Sequence, residues 1–149
     1  MQDCSVSYCA RGLRLQDIGH GAASNSIVSG CKMYQTLESG IYCAAGSYTG
    51  TDGCVDISIT GNSCTECFNN GILVIGGDNV SVQGNTVVRC ANAGIQGWSL
   101  LDTTISGNCI RNCNRLSYNG IGNSADAWAN LSIEGAKHIG TGTYAVHIL

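Results

Sequence analysis

A glycine turn recurs along the chain after a short alternation of apolar and polar residues, and its spacing limits the folds available. The pattern stands at residues 57–62, 80–85, 103–108 and 131–135, and more loosely at 26–31. Its glycines are Gly30, Gly61, Gly84, Gly107 and Gly135, separated by 31, 23, 23 and 28 residues. Strands this short cannot bury an apolar face alone, so successive repeats must stack on one another. The repetition predicts a solenoid.

Further columns align when each turn glycine is numbered zero. Three residues after zero stand Val6, Met33, Cys64, Val87, Ile110 and His138, and six after zero stand Cys9, Thr36, Cys67, Cys90, Cys113 and Thr141. These residues are small or apolar, except His138. A further segment that begins with Gly-Ile follows about ten residues after zero, which gives three short strands in each repeat. We therefore predict an all-β fold, a right-handed single-stranded parallel β-helix of about six coils, with residues 1–149 as one domain.

Asparagine and aspartate occupy two turn columns. Directly after zero stand Cys4, Cys31, Asn62, Asn85, Asn108 and Ala136, and five residues before zero stand Asn25, Asp56, Asn79, Asp102 and Asn130. Both residue types tolerate a left-handed backbone and bond to their own turn, and stacked copies can bond to one another. We interpret these columns as structural ladders.

Composition limits the partners that we expect. The chain is 44% hydrophobic and 11% charged, which is typical of a folded chain. Its net charge is -3 and its seven cationic side chains are scattered, so no basic patch is available for nucleic acid. Since no apolar run has the length of a membrane span, we expect no membrane partner, and we expect no cofactor.

The repeats Ile-x-x-Asn and Gly-Ile-x-Val make the chain resemble, over its whole length, the pectate-lyase-like superfamily of right-handed parallel β-helices. The resemblance implies that the Gly-Ile-x-Val segment is the first strand of each coil and that its outward face is a saccharide groove. The outward positions would be Arg14, Tyr42, Leu73, Gln96, Gly122 and His147. It also implies an extracellular, cell-surface or virion-associated protein.

That predicted groove face contains no carboxylate, and no complete catalytic constellation is found, so catalytic residues stay unassigned. Lyases, epimerases and hydrolases of this kind need carboxylates to hold a metal or to act as paired acids. We therefore expect a carbohydrate-directed β-helix, either a polysaccharide-binding segment or a non-catalytic part of a depolymerase or tailspike. One alternative is a structural spacer or assembly module with no ligand. Another is a polysaccharide lyase or hydrolase that acts through loop acids such as Asp52 and Asp126.

Aromatic and polar side chains near this face are the candidates for carbohydrate binding, because such residues stack on sugar rings and bond to them. They are Tyr42, Tyr48, Asp52, Gln96, Trp98, Arg115 and Tyr118.

Ten cysteines raise the question of metal or disulfides. Cys64 and Cys67 have the spacing of a zinc pair, but no second pair accompanies them, so we expect no metal site. The shared inward column favours free thiols packed as small apolar groups. Bridges between Cys4 and Cys31 and between Cys43 and Cys54 stay open, because neighbouring coils approach within disulfide range.

Both ends of the sequence fall inside predicted strands, and neither shows a cap. Open end coils expose edge strands and core to water. We therefore expect the chain to be part of a longer protein, or to self-associate or stack on another chain through its end coils.

Overall fold

The computed structural model describes residues 1–16, 24–44, 54–98, 100–113, 131–134 and 146–148. Its strands are β1 (Ser5–Ser7), β2 (Leu13–Gln16), β3 (Ser24–Ser29), β4 (Lys32–Tyr34), β5 (Ile41–Ala44), β6 (Cys54–Thr60), β7 (Ser63–Thr65), β8 (Ile72–Ile75), β9 (Gly77–Gln83), β10 (Thr86–Val88), β11 (Ile95–Trp98), β12 (Thr103–Ser106), β13 (Cys109–Arg111), β14 (Leu131–Glu134) and β15 (Val146–Ile148). Within those ranges no residue is helical.

The strands form three five-stranded parallel sheets, and each sheet takes every third strand along the chain. Sheet 1 has the order β1-β4-β7-β10-β13, sheet 2 has β2-β5-β8-β11-β14, and sheet 3 has β3-β6-β9-β12-β15. Three consecutive strands therefore make one coil, and each strand pairs with its counterpart in the next coil. The predicted all-β parallel β-helix is confirmed.

The core lies where the inward side chains of the three sheets meet. Sheet 1 aligns Val6, Met33, Cys64, Val87 and Ile110 in one register column. Met33, Cys64 and Val87 are almost completely buried, which confirms the predicted inward column. His138 and Thr141 lie outside the described residues.

The predicted alignment of the last repeat was wrong. We aligned residues 131–134 with the strand before the glycine turn, but β14 pairs with β11 in sheet 2. We also aligned His147 with the groove row, but it pairs with Thr104 in sheet 3, and Ser132 takes the place beside Gln96. A four-residue apolar and polar alternation fits either kind of strand, so the pattern cannot distinguish them. Gly122, Asn130, Gly135 and Ala136 lie outside the described residues.

Left-handed residues turn the chain at three places in a coil, with φ angles between 44° and 65°. One set is the zero column, Asp3, Gly30, Gly61, Gly84 and Gly107, and the second is Asn25, Asp56, Asn79 and Asp102. The third stands five residues after zero: Tyr8, Gln35, Glu66, Arg89 and Asn112. The sequence predicted the first two sets. The third was missed because most of its residue types do not favour a left-handed backbone.

The asparagines after the turn form a buried ladder. The Asn85 side-chain amide donates to the Ile59 carbonyl and to Asn108 Oδ1, both at 2.9 Å. Asn85 Oδ1 accepts the backbone N–H of Asn62 at 2.9 Å and its side-chain amide at 3.0 Å. The ladder reaches the coil below through Cys31, whose N–H donates to Asn62 Oδ1. The predicted structural role is confirmed.

Candidate functional site

The outward face of sheet 2, where the predicted saccharide groove lies, has a defined row of side chains. Register pairs Arg14 with Tyr42, Tyr42 with Leu73, and Leu73 with Gln96. The first four predicted outward positions therefore share one row, one residue from each of four successive coils. Gly122, the fifth, lies outside the described residues.

The middle of this face is apolar. Ala44, Leu73 and Ile75 form a cluster separate from the interior core, and Tyr42 and Trp98 pack against it. Leu73 is only 6% exposed and Ile75 only 5% exposed, although both side chains point away from the interior. Outward residues of a solvated strand are normally polar, so this part of the face is built as a second, outer core.

Gln96 belongs structurally to this covered region. It is 2% exposed, and its Oε1 accepts a hydrogen bond from Asn70 Nδ2 at 2.9 Å. Asn70 is itself buried and lies just before β8. The bond thus ties the outer face of β11 to the preceding coil, because an amide buried here needs a partner.

The first two coils give this face its polar end. The Arg14 guanidinium lies 4.6 Å from the centre of the Tyr42 ring. Glu38 sits between two arginines, with Oε1 at 3.1 Å from Arg11 Nε and Oε2 at 3.8 Å from Arg14. Two guanidiniums and one carboxylate leave this group with one excess positive charge. We call Arg11, Arg14, Glu38 and Tyr42 the arginine corner.

Several candidate binding residues belong to parts of the chain that the structure does not describe. Tyr48, Asp52, Arg115 and Tyr118 lie outside the described residues, as does the loop acid Asp126. Their roles stay predictions. Of the seven candidates, the structure places Tyr42, Gln96 and Trp98 on the outward face of sheet 2.

A second charged cluster lies on the left-handed turn after sheet 1. Glu66 accepts hydrogen bonds from Gln35 Nε2 and from Arg89 Nε, each at 2.8 Å. The bond from Gln35, followed by that from Arg89, lowers the pKa of the Glu66 carboxyl. Loss of hydration and the Glu66 charge raise the pKa of Tyr34, whose ring meets Tyr8 edge to face at 5.4 Å. Sequence reasoning missed this cluster because it did not recognise the turn that aligns it.

All ten cysteines are free thiols in this structure. Cys67 and Cys90 are buried, and Cys113 is half-buried, while Cys9 in the first coil is exposed. Hydrogen bonding to Cys113 and Cys67, together with burial, raises the pKa of Cys90. A hydrogen bond with Cys90 lowers the pKa of Cys113 to about 7.

The two cysteine pairs that were considered for bridges are unbridged. Cys43 and Cys54 nonetheless contact one another, and the hydrogen bond between them, with burial, raises the pKa of Cys43. Within the described ranges, no group of three or more His, Cys, Asp or Glu residues could hold a metal ion. The same part of the chain also contains no helix that is long and apolar enough to cross a membrane.

No protein-family model, curated protein or solved structure matches this chain. The parallel β-helix therefore rests on the sheet order and register of the chain itself. Membership of the pectate-lyase-like superfamily stays a prediction from its short repeats.

Proposed function

We propose that this chain is a carbohydrate-directed β-helix of the pectate-lyase-like kind, and that it binds acidic polysaccharides at the arginine corner. The observation that supports this is the stacking of Arg14 on Tyr42 at the first-coil end of the outward row. Tyr42 was among the candidate binding residues, and Arg14 was among the predicted groove positions.

The chemistry of the arginine corner suits a uronate. A guanidinium offers paired N–H donors that match the two oxygens of a carboxylate. The Arg11 side chain is 65% exposed and that of Arg14 is 33% exposed, so both keep surface for an incoming anion. Glu38 orients both guanidiniums, which lowers the conformational freedom that binding would otherwise remove. Tyr42 adds an aromatic surface that suits the apolar face of a sugar ring.

The proposal is one of binding without chemistry in this part of the chain. None of the five placed positions of the outward row, Arg14, Tyr42, Leu73, Gln96 and Ser132, is a carboxylate, and the register places a single one, Glu134, beside Trp98 two residues further along. Glu38, the carboxylate of the arginine corner, is already paired with Arg11 and Arg14. A general base or acid would need a freer carboxyl group close to the reacting atoms of the sugar.

Titration calorimetry with oligogalacturonate and with a neutral oligosaccharide of equal length tests this proposal. We expect the chain to bind the acidic sugar and not the neutral one, and we expect added salt to weaken this binding. Arg14→Ala should lower the affinity at least about tenfold, since one charged contact contributes about 1.4 kcal/mol or more. Arg89→Ala is the matched control, because it removes a surface arginine that also pairs with a glutamate, on another face. Absence of glycan binding, or equal loss in both variants, would contradict the proposal.

A structural or assembly module is the second candidate, and the buried outer cluster favours it. Ala44, Leu73 and Ile75 occupy the middle of the face where an open groove would lie. In addition, within the described residues β1 and β2 each pair on one side only, whereas Gln2 bridges the outer side of β3 at Ser29, so two strand edges are offered for self-association or for another chain. Discrete oligomers or fibres in sedimentation, together with no glycan affinity, would favour this function.

A further inference from the structure

Three thiols follow one another up the solenoid at equivalent positions after sheet 1. Strands β10 and β13 pair Val88 with Arg111, and the Arg89 N–H donates to the Arg111 carbonyl at 3.0 Å. Two residues beyond the Val88 and Arg111 pair, Cys90 and Cys113 therefore occupy matching places on the fourth and fifth coils. Cys67 occupies the same place on the third coil, since the Ala91 N–H donates to its carbonyl at 2.8 Å.

The geometry of Cys90 and Cys113 suits a covalent bond between coils. Neighbouring parallel strands lie about 4.8 Å apart, and disulfides span Cα separations of about 4.4–6.8 Å. Both side chains turn to the same side, because Cys90 belongs to the interior core and Cys113 packs against that core. The two thiols lie close enough for each to shift the pKa of the other. Metal binding is a weaker explanation, because no metal-holding group occurs among the described residues.

We propose that Cys90 and Cys113 form an oxidation site whose disulfide fastens the fourth coil to the fifth. The oxidant is a small-molecule disulfide such as oxidised glutathione. The Cys113 thiolate attacks that disulfide, forms a mixed disulfide and releases one glutathione thiolate. Cys90 then attacks Cys113 Sγ and expels the second glutathione, which takes up the Cys90 proton. Two protein thiols are oxidised and one oxidised glutathione becomes two reduced molecules.

The order of attack follows from access. Cys113 is half-buried and can meet the oxidant, whereas Cys90 is completely buried. The pKa of Cys113 is lowered to about 7 by its hydrogen bond with Cys90, so a large share is thiolate at neutral pH. Cys67 is only 1% exposed, which denies the oxidant the first step at the other neighbour of Cys90.

Peptide mapping of the 149-residue chain after treatment with oxidised glutathione tests the site. Trypsin cleaves after Arg89, Arg111 and Arg115, so Cys90 falls in peptide 90–111 and Cys113 in peptide 112–115. We expect these peptides to be joined without reductant, at a mass two hydrogens below their sum, and to separate with dithiothreitol. A link between peptides 33–89 and 90–111, which would join Cys90 or Cys109 to a cysteine of an earlier coil, or no link at all, would overturn the proposal.

Three variants separate this bond from its neighbours. Cys113→Ser should abolish the link, whereas Cys67→Ser should retain it. Cys109→Ser is the matched control, because Cys109 shares a peptide with Cys90 but is exposed. Loss of the link in Cys109→Ser would overturn the assignment. In the unsubstituted chain we also expect the link to raise the urea midpoint and dithiothreitol to reverse that rise, and no shift on complete linkage would contradict fastening of the two coils.

Discussion

Replacing Asn85 by alanine should cost much of the stability of the solenoid. Asn85 is 1% exposed, and its side chain makes four hydrogen bonds, two as donor and two as acceptor. Each such bond contributes about 1 kcal/mol net, and a buried partner left unpaired adds to the loss. The Asn62 N–H and the Ile59 carbonyl would both lose this partner. We therefore expect the free energy of unfolding to fall by about 3–5 kcal/mol.

Urea unfolding followed by far-ultraviolet circular dichroism measures this change, through the midpoint and the slope. Ser81→Ala is the matched control, because Ser81 lies on the outward row of the preceding strand, where substitutions cost about 0.5 kcal/mol or less. If Asn85→Ala falls within about 1 kcal/mol of that control, the ladder does not stabilise the stacking of coils as argued.

Three more perturbations test the packing, the turns and the charged cluster. In Gly71→Ala the new Cβ would collide with Val87, so we expect urea unfolding to show a free energy of unfolding lower by about 3 kcal/mol. In Gly61→Ala the new Cβ has open space, but the φ of 65° is unfavourable for alanine, so the free energy of unfolding should fall by only about 1–2 kcal/mol. Ile72→Ala should lose about 2–5 kcal/mol by the same measurement, because Ile72 is fully buried in the interior core and the substitution leaves a cavity. The pKa of Glu66 is lowered in the folded chain, so the stabilisation that its carboxylate gives is present above the ordinary pKa of 4.5 and is lost as the pH falls through the folded pKa. Over this acid range, the urea midpoint of the unsubstituted chain should fall towards that of Glu66→Gln. A difference between the two midpoints that stays constant with pH would contradict this linkage.

Most of the architecture could be predicted because its physical causes repeat in the sequence. Gly61, Gly84 and Gly107 mark positions where a left-handed backbone is needed, and their spacing indicates the coil length. Asn85 and its counterparts appear one residue later, where a side chain can satisfy the turn of the neighbouring coil. Stacked coils place equivalent residues beside one another, so the alignment of these columns in the sequence predicts which residues pair across the sheets.

Other features had no sequence signal that pattern reasoning could use. Glu66 and Arg89 are left-handed although neither is a usual turn residue, because the coil around them fixes that backbone. The outward burial of Leu73 depends on what packs over it, which the alternation of its own strand does not indicate. The sheets that contain Ser132 and His147 could be identified only from the strands with which they pair, since the pattern of each short strand fits two sheets equally well.

The equal spacing of Gly61, Gly84 and Gly107 means that the length of this solenoid changes in equal steps with the number of coils. Each 23-residue unit carries a complete set of turns, ladder residues and inward side chains, and it adds about 4.8 Å along the axis. Duplication or deletion of one such unit during evolution would therefore change the reach of the protein by one step and keep every neighbouring coil in register. Changes of any other length would have to be absorbed between the strands, so that the stacked residues keep their partners.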